Sequence, residues 1–132
     1  MTRRLHIGVR SREDSYTAAL HALQRAEARE LTAHEPALYF ESLTELRQTL
    51  TTERLDLLIM ILRHTPSSVL EIAKLVGRDL TSVSEDLTLL HQLGLVEFVL
   101  IEGQERAQTP VVPYDEIALT IDLRALAGKE AA

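Results

Sequence analysis

Between Gly77 and Leu95 the sequence runs GRDLTSVSEDLTLLHQLGL, and its first half gathers the side chains best suited to contact chemistry. Three hydroxyls, Thr81, Ser82 and Ser84, follow Arg78, and Glu85, Asp86 and Thr88 come next. Hydroxyls and free N–H groups at a helix start attract phosphate, and hydroxyls also meet base edges. A guanidinium in the preceding turn can clamp a phosphate. The chemistry this implies is recognition of an anionic polymer, with no bond made or broken. Yet no Lys or Arg lies within the Thr81–Leu93 stretch itself.

Catalysis finds little support. His64 and His91 stand in no HExxH spacing. Asp14 with His21, and Glu27 with His34, are seven apart but lack a third ligand, so they read as solvated side chains. Ser67 and Ser68 precede no strained elbow. There is no Cys, which excludes disulfides and thiolate metal sites. No enzyme, cofactor or metal is expected.

The 132 residues, 45% hydrophobic, suffice for one domain with an added arm. The longest apolar run, Leu57 to Leu62, is too short for a membrane span. The start, MTRRLHIGVRSRED, has no apolar signal region, so a cytoplasmic protein is expected, with no membrane partner. The net charge is −6, which opposes a nucleic-acid partner. Residues 1–50 carry seven basic and seven acidic side chains, residues 51–103 four and eight, and residues 104–132 three and five. A positive face therefore has to be made locally by folding.

The elements that must position these residues follow from period and caps. RRLHIGV alternates as a strand with Leu5, Ile7 and Val9 on one face. Residues 11–33 read as a helix capped by Ser11, Pro36 stops it, and ALYFE is a second strand. No glycine-rich phosphate loop joins strand to helix. Ser42 caps a short helix with Glu45 at the capping-box position. TTERLDLLIMILRHTP is the next, with Leu55, Leu58, Ile59 and Leu62 at helical spacing. Ser68 and Glu71 open a third, SVLEIAKLVG, whose Ile72 and Leu75 face the core and whose Gly77 turns left-handed. The fourth buries Val83, Leu87, Leu90 and Leu93 and ends at Gly94. LVEFVLIE is then a strand, GQERAQTP a hairpin tip, and VVPYDEIALTIDL one or two further strand segments, with Pro110 and Pro113 at edges or strand ends. The expectation is an α+β winged helix-turn-helix, three core helices and a β-hairpin wing, over 42–124. A strand-helix-strand arm over 1–41 serves dimerisation or partner contact, and 125–132 is a flexible tail.

The run from Leu50 to Phe98 resembles the winged helix-turn-helix of small MarR/ArsR-like regulators. PVVPYDEIALTIDL is similar to the end of a narrower set of predicted transcriptional regulators, some encoded beside toxin genes as their antitoxins. The likeness covers about residues 50 to 122 and rests on SVLEIAKLVGRD, LGLVE and VPYDEI taken together. It implies double-stranded operator DNA as partner, a homodimer, and in the antitoxin case a cognate toxin. Such regulators usually carry a basic or amide residue where this chain has Ser82, His or another polar residue at the place of Ser84, and a basic residue at the place of Glu85. The scaffold positions match and the basic ones do not, which bears on DNA affinity and not on fold.

The candidate DNA contacts are Lys74, Arg78, Thr81, Ser82, Ser84, Glu85, Thr88, Arg106 and Gln108. Arg78 is a phosphate clamp, or an ion pair with Asp79 or Glu71. Thr81 is a contact, an N-cap, or both. Glu85 accepts from a cytosine amine or simply lowers affinity, while Asp86 bonds within the protein, for example to Arg63 or Arg78. Lys74 and Arg54 can meet backbone phosphates, and His91 reads as a surface histidine or a phosphate contact. Arg106 and Gln108 decorate the wing, where an Arg can enter a minor groove. Two functions remain: a DNA-binding regulator, dimeric and repressing its own operon, or a winged-helix protein–protein interaction module without DNA binding.

Overall fold

The computed structural model describes residues 2–10, 20, 36–101 and 104–130, with backbone alone at 101, 104–107 and 128–130. The helix expected over 11–33 lies outside the described residues except at Leu20. Chain contacts divide the protein into two units, residues 1–49 with 116–132, and residues 50–115.

The first unit is built on β1 (Arg4–Val9), the middle strand of a parallel sheet with β2 (Ala37–Phe40) on one side and β5 (Glu116–Thr120) on the other. Ile7 stands in register with both Leu38 and Leu119. The alternation of Leu5, Ile7 and Val9 puts all three in the core, the burial expected of a strand with neighbours on both edges. Arg4 pairs with Glu116 across the β1–β5 step. On Gly8 a Cβ would sit 2.9 Å from Tyr39 Cε1, so glycine lets that ring lie flat against the strand. The Arg10 guanidinium stacks on the same ring at 3.5 Å. Helix α1 (Leu43–Thr49) starts where Ser42 Oγ accepts the Glu45 N–H at 3.1 Å, and Glu45 answers by accepting the Glu41 N–H at 3.2 Å.

The second unit is a winged helix-turn-helix. Its helices are α2 (Thr52–His64), α3 (Val69–Val76) and α4 (Leu80–Gln92), and its wing is the antiparallel pair β3 (Glu97–Ile101) and β4 (Gln104–Val111). Each helix has a side-chain N-cap: Thr51 accepts from Arg54, Ser68 from Glu71, and Asp79 from Ser82. Leu57, Ile72, Val83, Leu87, Leu90, Leu95 and Val96 are completely buried, each contributing roughly 1.5–3 kcal/mol of apolar burial. Gly94 ends α4 at φ 84°. The N–H groups of Gly94 and Leu95 return to His91 and Leu90 carbonyls at 3.0 and 2.9 Å, satisfying the helix end and turning Leu95 and Val96 inward. The wing is tied to the start of α3 by Thr109 Oγ1 donating to the Ser67 carbonyl at 2.9 Å.

Several expectations need correction. Residues 116–120 do not extend the wing; they join β1, because Pro113 lacks the N–H to continue the ladder and Glu116–Thr120 offers β1 a parallel edge. Residues 42–49 and 116–124 thus belong with the arm, and the tail expected over 125–132 is largely helix, α5 (Leu123–Glu130), whose start Asp122 holds by accepting the Ala125 N–H. The wing tip is shorter than 103–110, since β4 already runs from Gln104. In α2 the buried residues are Leu57, Leu58 and Ile61, while Ile59 and Leu62 are 49% and 48% exposed; Leu75 of α3 is also exposed. Spacing alone could not choose between two overlapping apolar stripes.

Of the three left-handed helix ends among the described residues, Thr65, Gly77 and Gly94, two have opposite consequences. Gly94 suits φ 84° and a Cβ there would meet nothing within 4 Å, so Gly94→Ala isolates the backbone penalty of about 1–2 kcal/mol. Thr65, at φ 43°, is a β-branched residue in the same region. Thr65→Gly is expected to stabilise by about 1 kcal/mol. Urea midpoints of the two variants should move in opposite directions, and a common direction would contradict this account of both caps.

Candidate nucleic-acid interface

Helix α4 is the element that would meet a groove, and its turn is set by charge. Asp86, half-buried on α4, accepts from Arg54 Nε of α2 at 3.1 Å and from Arg78 Nη2 of the turn at 2.7 Å. Arg78 Nη2 also donates to Ser82 Oγ at 2.6 Å. The three charged side chains are only 15–26% exposed. At Asp86 burial pushes the carboxyl upward, but the bonds and charges of Arg78 and Arg54 outweigh it and hold the group below the usual aspartate range.

This arrangement revises several readings. Arg78 pairs with neither Asp79 nor Glu71; it turns inward to Asp86, and its Nη1 is buried without an acceptor among the described residues. Ser82 is tied to it. Asp86 does bond within the protein, to Arg78 and to Arg54 instead of Arg63. The N-cap of α4 is Asp79 and not Thr81, with Asp79 Oδ2 accepting the Ser82 N–H at 2.9 Å. A carboxylate therefore already sits at the positive end of α4, where a phosphate would otherwise be drawn. Glu71 accepts from the N–H and Oγ of Ser67, both at 2.9 Å, and these bonds, with a smaller contribution from His64, lower its carboxyl.

The outer face of α4 carries Thr81, Ser84, Glu85 and Thr88 at spacings of three and four, one side of the helix. A shallow groove of about 500 Å³ runs along it, lined by these four with Leu80, Leu89 and Gln92. Thr88 Oγ1 donates back to the Ser84 carbonyl at 2.8 Å, leaving its lone pairs outward. His91 bonds Val96 O at 2.9 Å through Nδ1 and packs on Phe98 at 5.1 Å, so its ring supports the wing. Lys74 on α3 and Gln108 on β4 are exposed. Arg106 lies in β4, its side chain outside the description. Three groove residues, Leu80, Leu89 and Gln92, were not among the sequence candidates. Leu80 is 47% exposed, and Leu89 lies about a third of a turn off the Val83–Leu87–Leu90 stripe, the one signal that could have marked it.

Among the described residues no group of three His, Cys, Asp or Glu side chains could hold a metal, and no helix is long and apolar enough to cross a membrane.

Removing Asp86 strands two half-buried guanidinium groups. Asp86→Ala should cost about 1–3 kcal/mol, below a fully buried pair because water reaches the site. The double variant with Arg78→Ala should lose less than the sum of the single losses. Because the folded carboxyl is held low, its contribution is full above about pH 4 and disappears as pH falls through the lowered folded value. Asp86→Asn should then flatten the acid limb of stability against pH, and an unchanged limb would count against the bridge.

Comparison with known proteins adds family and likeness. No curated protein matches the chain. Among solved structures it is similar to a MarR-like transcriptional regulator from Thermotoga maritima, at 15% identity and TM-score 0.44, covering 88% of this chain and 69% of that one. A family profile matches residues 49–119, more than half of the sequence and nearly the whole winged unit with β5, and the chain belongs to the HVO_A0114 family.

Proposed function

We propose that the chain is a DNA-binding transcriptional regulator, a dimeric repressor of its own operon. The observation that carries this reading is α4 itself. The Asp86 bridge fixes it to α2 and the turn, and Thr81, Ser84, Glu85 and Thr88 stand together on its exposed face. Threonine and serine hydroxyls can bond base edges or phosphates, and glutamate can accept from a cytosine amine. Lys74 and Arg106 supply backbone contact from α3 and the wing. A net charge of −6 suits an additional basic protein partner, so the reading extends to the antitoxin of a toxin–antitoxin pair, as the sequence resemblance implies.

A second reading, a protein-interaction module without DNA binding, is favoured by one observation. None of the seven residues lining the α4 groove is a cation, and two are leucines.

Binding of the purified protein to labelled DNA from upstream of its own gene, against random DNA at two salt concentrations, separates the two. The repressor reading expects promoter-selective binding with a shallow salt dependence, log K against log salt falling with a slope of about −2 to −4, because few cations reach phosphate. Lys74→Ala should weaken binding about three- to tenfold on every sequence and reduce the slope by roughly one. Absence of selectivity at both salt concentrations sinks this function and leaves the protein-interaction module.

A further inference from the structure

The outer side of α2 is built like one half of a symmetric joint. Asp56, Ile59, Met60 and Arg63 fall at i, i+3, i+4 and i+7, a single face. They line a groove of about 480 Å³ together with Glu53 and with Val76 and Arg78 of the turn region. Ile59 is 49% exposed, and Leu62 beside this stripe is 48% exposed. Among the described residues neither Asp56 nor Arg63 has an ion-pair partner within the chain. The stripe is thus apolar in the middle, negative at one end and positive at the other.

We infer that this face is the site at which a second copy of the chain docks, α2 against α2, antiparallel. A two-fold axis passing between Ile59 and Met60 sets Asp56 of each copy level with Arg63 of the other. The two ion pairs then flank the paired Ile59 and Met60 side chains, about 10 Å from end to end of each Asp–Arg interval. A closed two-fold interface needs this self-complementarity. A parallel pairing would set Asp56 against Asp56, and like charges face to face are disfavoured. A DNA backbone would meet Glu53 and Asp56, and a peptide of one sign would be repelled at one end. The groove on α4 shares no lining residue with this one. The proposal names the segment that makes the dimer and holds whether or not the dimer binds DNA.

A 13-residue helix covers less than the roughly 800 Å² per partner of a standard interface, so the association is weak, with Kd on the order of 10–100 µM. Sedimentation velocity of the full chain from about 1 to 500 µM reads it directly. A monomer–dimer equilibrium is expected. Asp56→Arg alone, or Arg63→Asp alone, turns both pairs repulsive and should weaken the dimer about tenfold or more. Mixing the two variants pairs Arg with Asp at both ends again, so a heterodimer near wild-type affinity should form from two chains that each fail alone. Far-UV circular dichroism checks that both variants remain folded, as surface substitutions should. A monomer at every concentration overturns the proposal, as does a dimer that both charge reversals leave intact. Because no DNA enters the experiment, its outcome is independent of the operator-binding result.

Discussion

Asp86 is the group on which the helix-turn-helix geometry depends. Apolar burial among Leu57, Ile72, Leu87 and Leu90 holds α2, α3 and α4 together, but it is non-directional and tolerates a range of crossing angles. Hydrogen-bonded charges are directional. One carboxylate takes Arg54 from α2 with one oxygen and Arg78 from the turn with the other, so the position of α4 is referred to two elements at once. The Arg78–Ser82 bond adds a third point on the first turn of α4. The bridge stays ionised because two cations outweigh its partial burial.

That bridge has a consequence for the surface. Residues 50–115 hold five basic side chains, Arg54, Arg63, Lys74, Arg78 and Arg106, against ten acidic ones. Two of the five are turned to Asp86, and Arg63 lies on the α2 face. On the DNA reading, Lys74 is the exposed cation of α3 that remains for phosphate. Asp79 meanwhile places its carboxylate on the first turn of α4, neutralising the helix end that would draw an anion. The acidic balance of the sequence is therefore a local property of the start of α4 as well as a sum over the chain.

The winged unit was legible because its signals are local. Ser68 and Gly77 bracket α3, Gly94 ends α4, and each device acts within a few residues of its own position. What was not legible depends on distant partners. Nothing within Glu116–Thr120 says that its ladder belongs to Arg4–Gly8, more than a hundred residues earlier. Arg78 has acidic neighbours at Asp79 and Glu71, yet bonds across the turn to Asp86, because helix direction decides which carboxylate faces the guanidinium. In α2, LDLLIMIL offers overlapping stripes, and only the placement of α3 and α4 selects Leu57, Leu58 and Ile61 for the core. The hydroxyl face of α4 was readable from spacing alone; the Asp79 cap that changes its electrostatics was not, since Thr81, two residues on, is also an acceptable cap by type.

On the DNA reading, scarce cations have a selective effect. Non-specific binding is almost wholly electrostatic, so a face with few cations loses it first. Contacts from Thr81, Ser84 and Glu85 depend instead on hydrogen-bond geometry at particular base edges. Their contribution survives when the phosphate contribution falls. Absolute affinity drops while the ratio of specific to non-specific binding is maintained, and it is this ratio, weighed against the number of competing sites, that decides occupancy. Two copies joined through a weak interface sharpen the effect. Each half-site is then read with little phosphate contact, and binding at one raises the effective concentration of the second reader at the other. On this reading a regulator built this way responds steeply to its own concentration, as repression of its own synthesis would require.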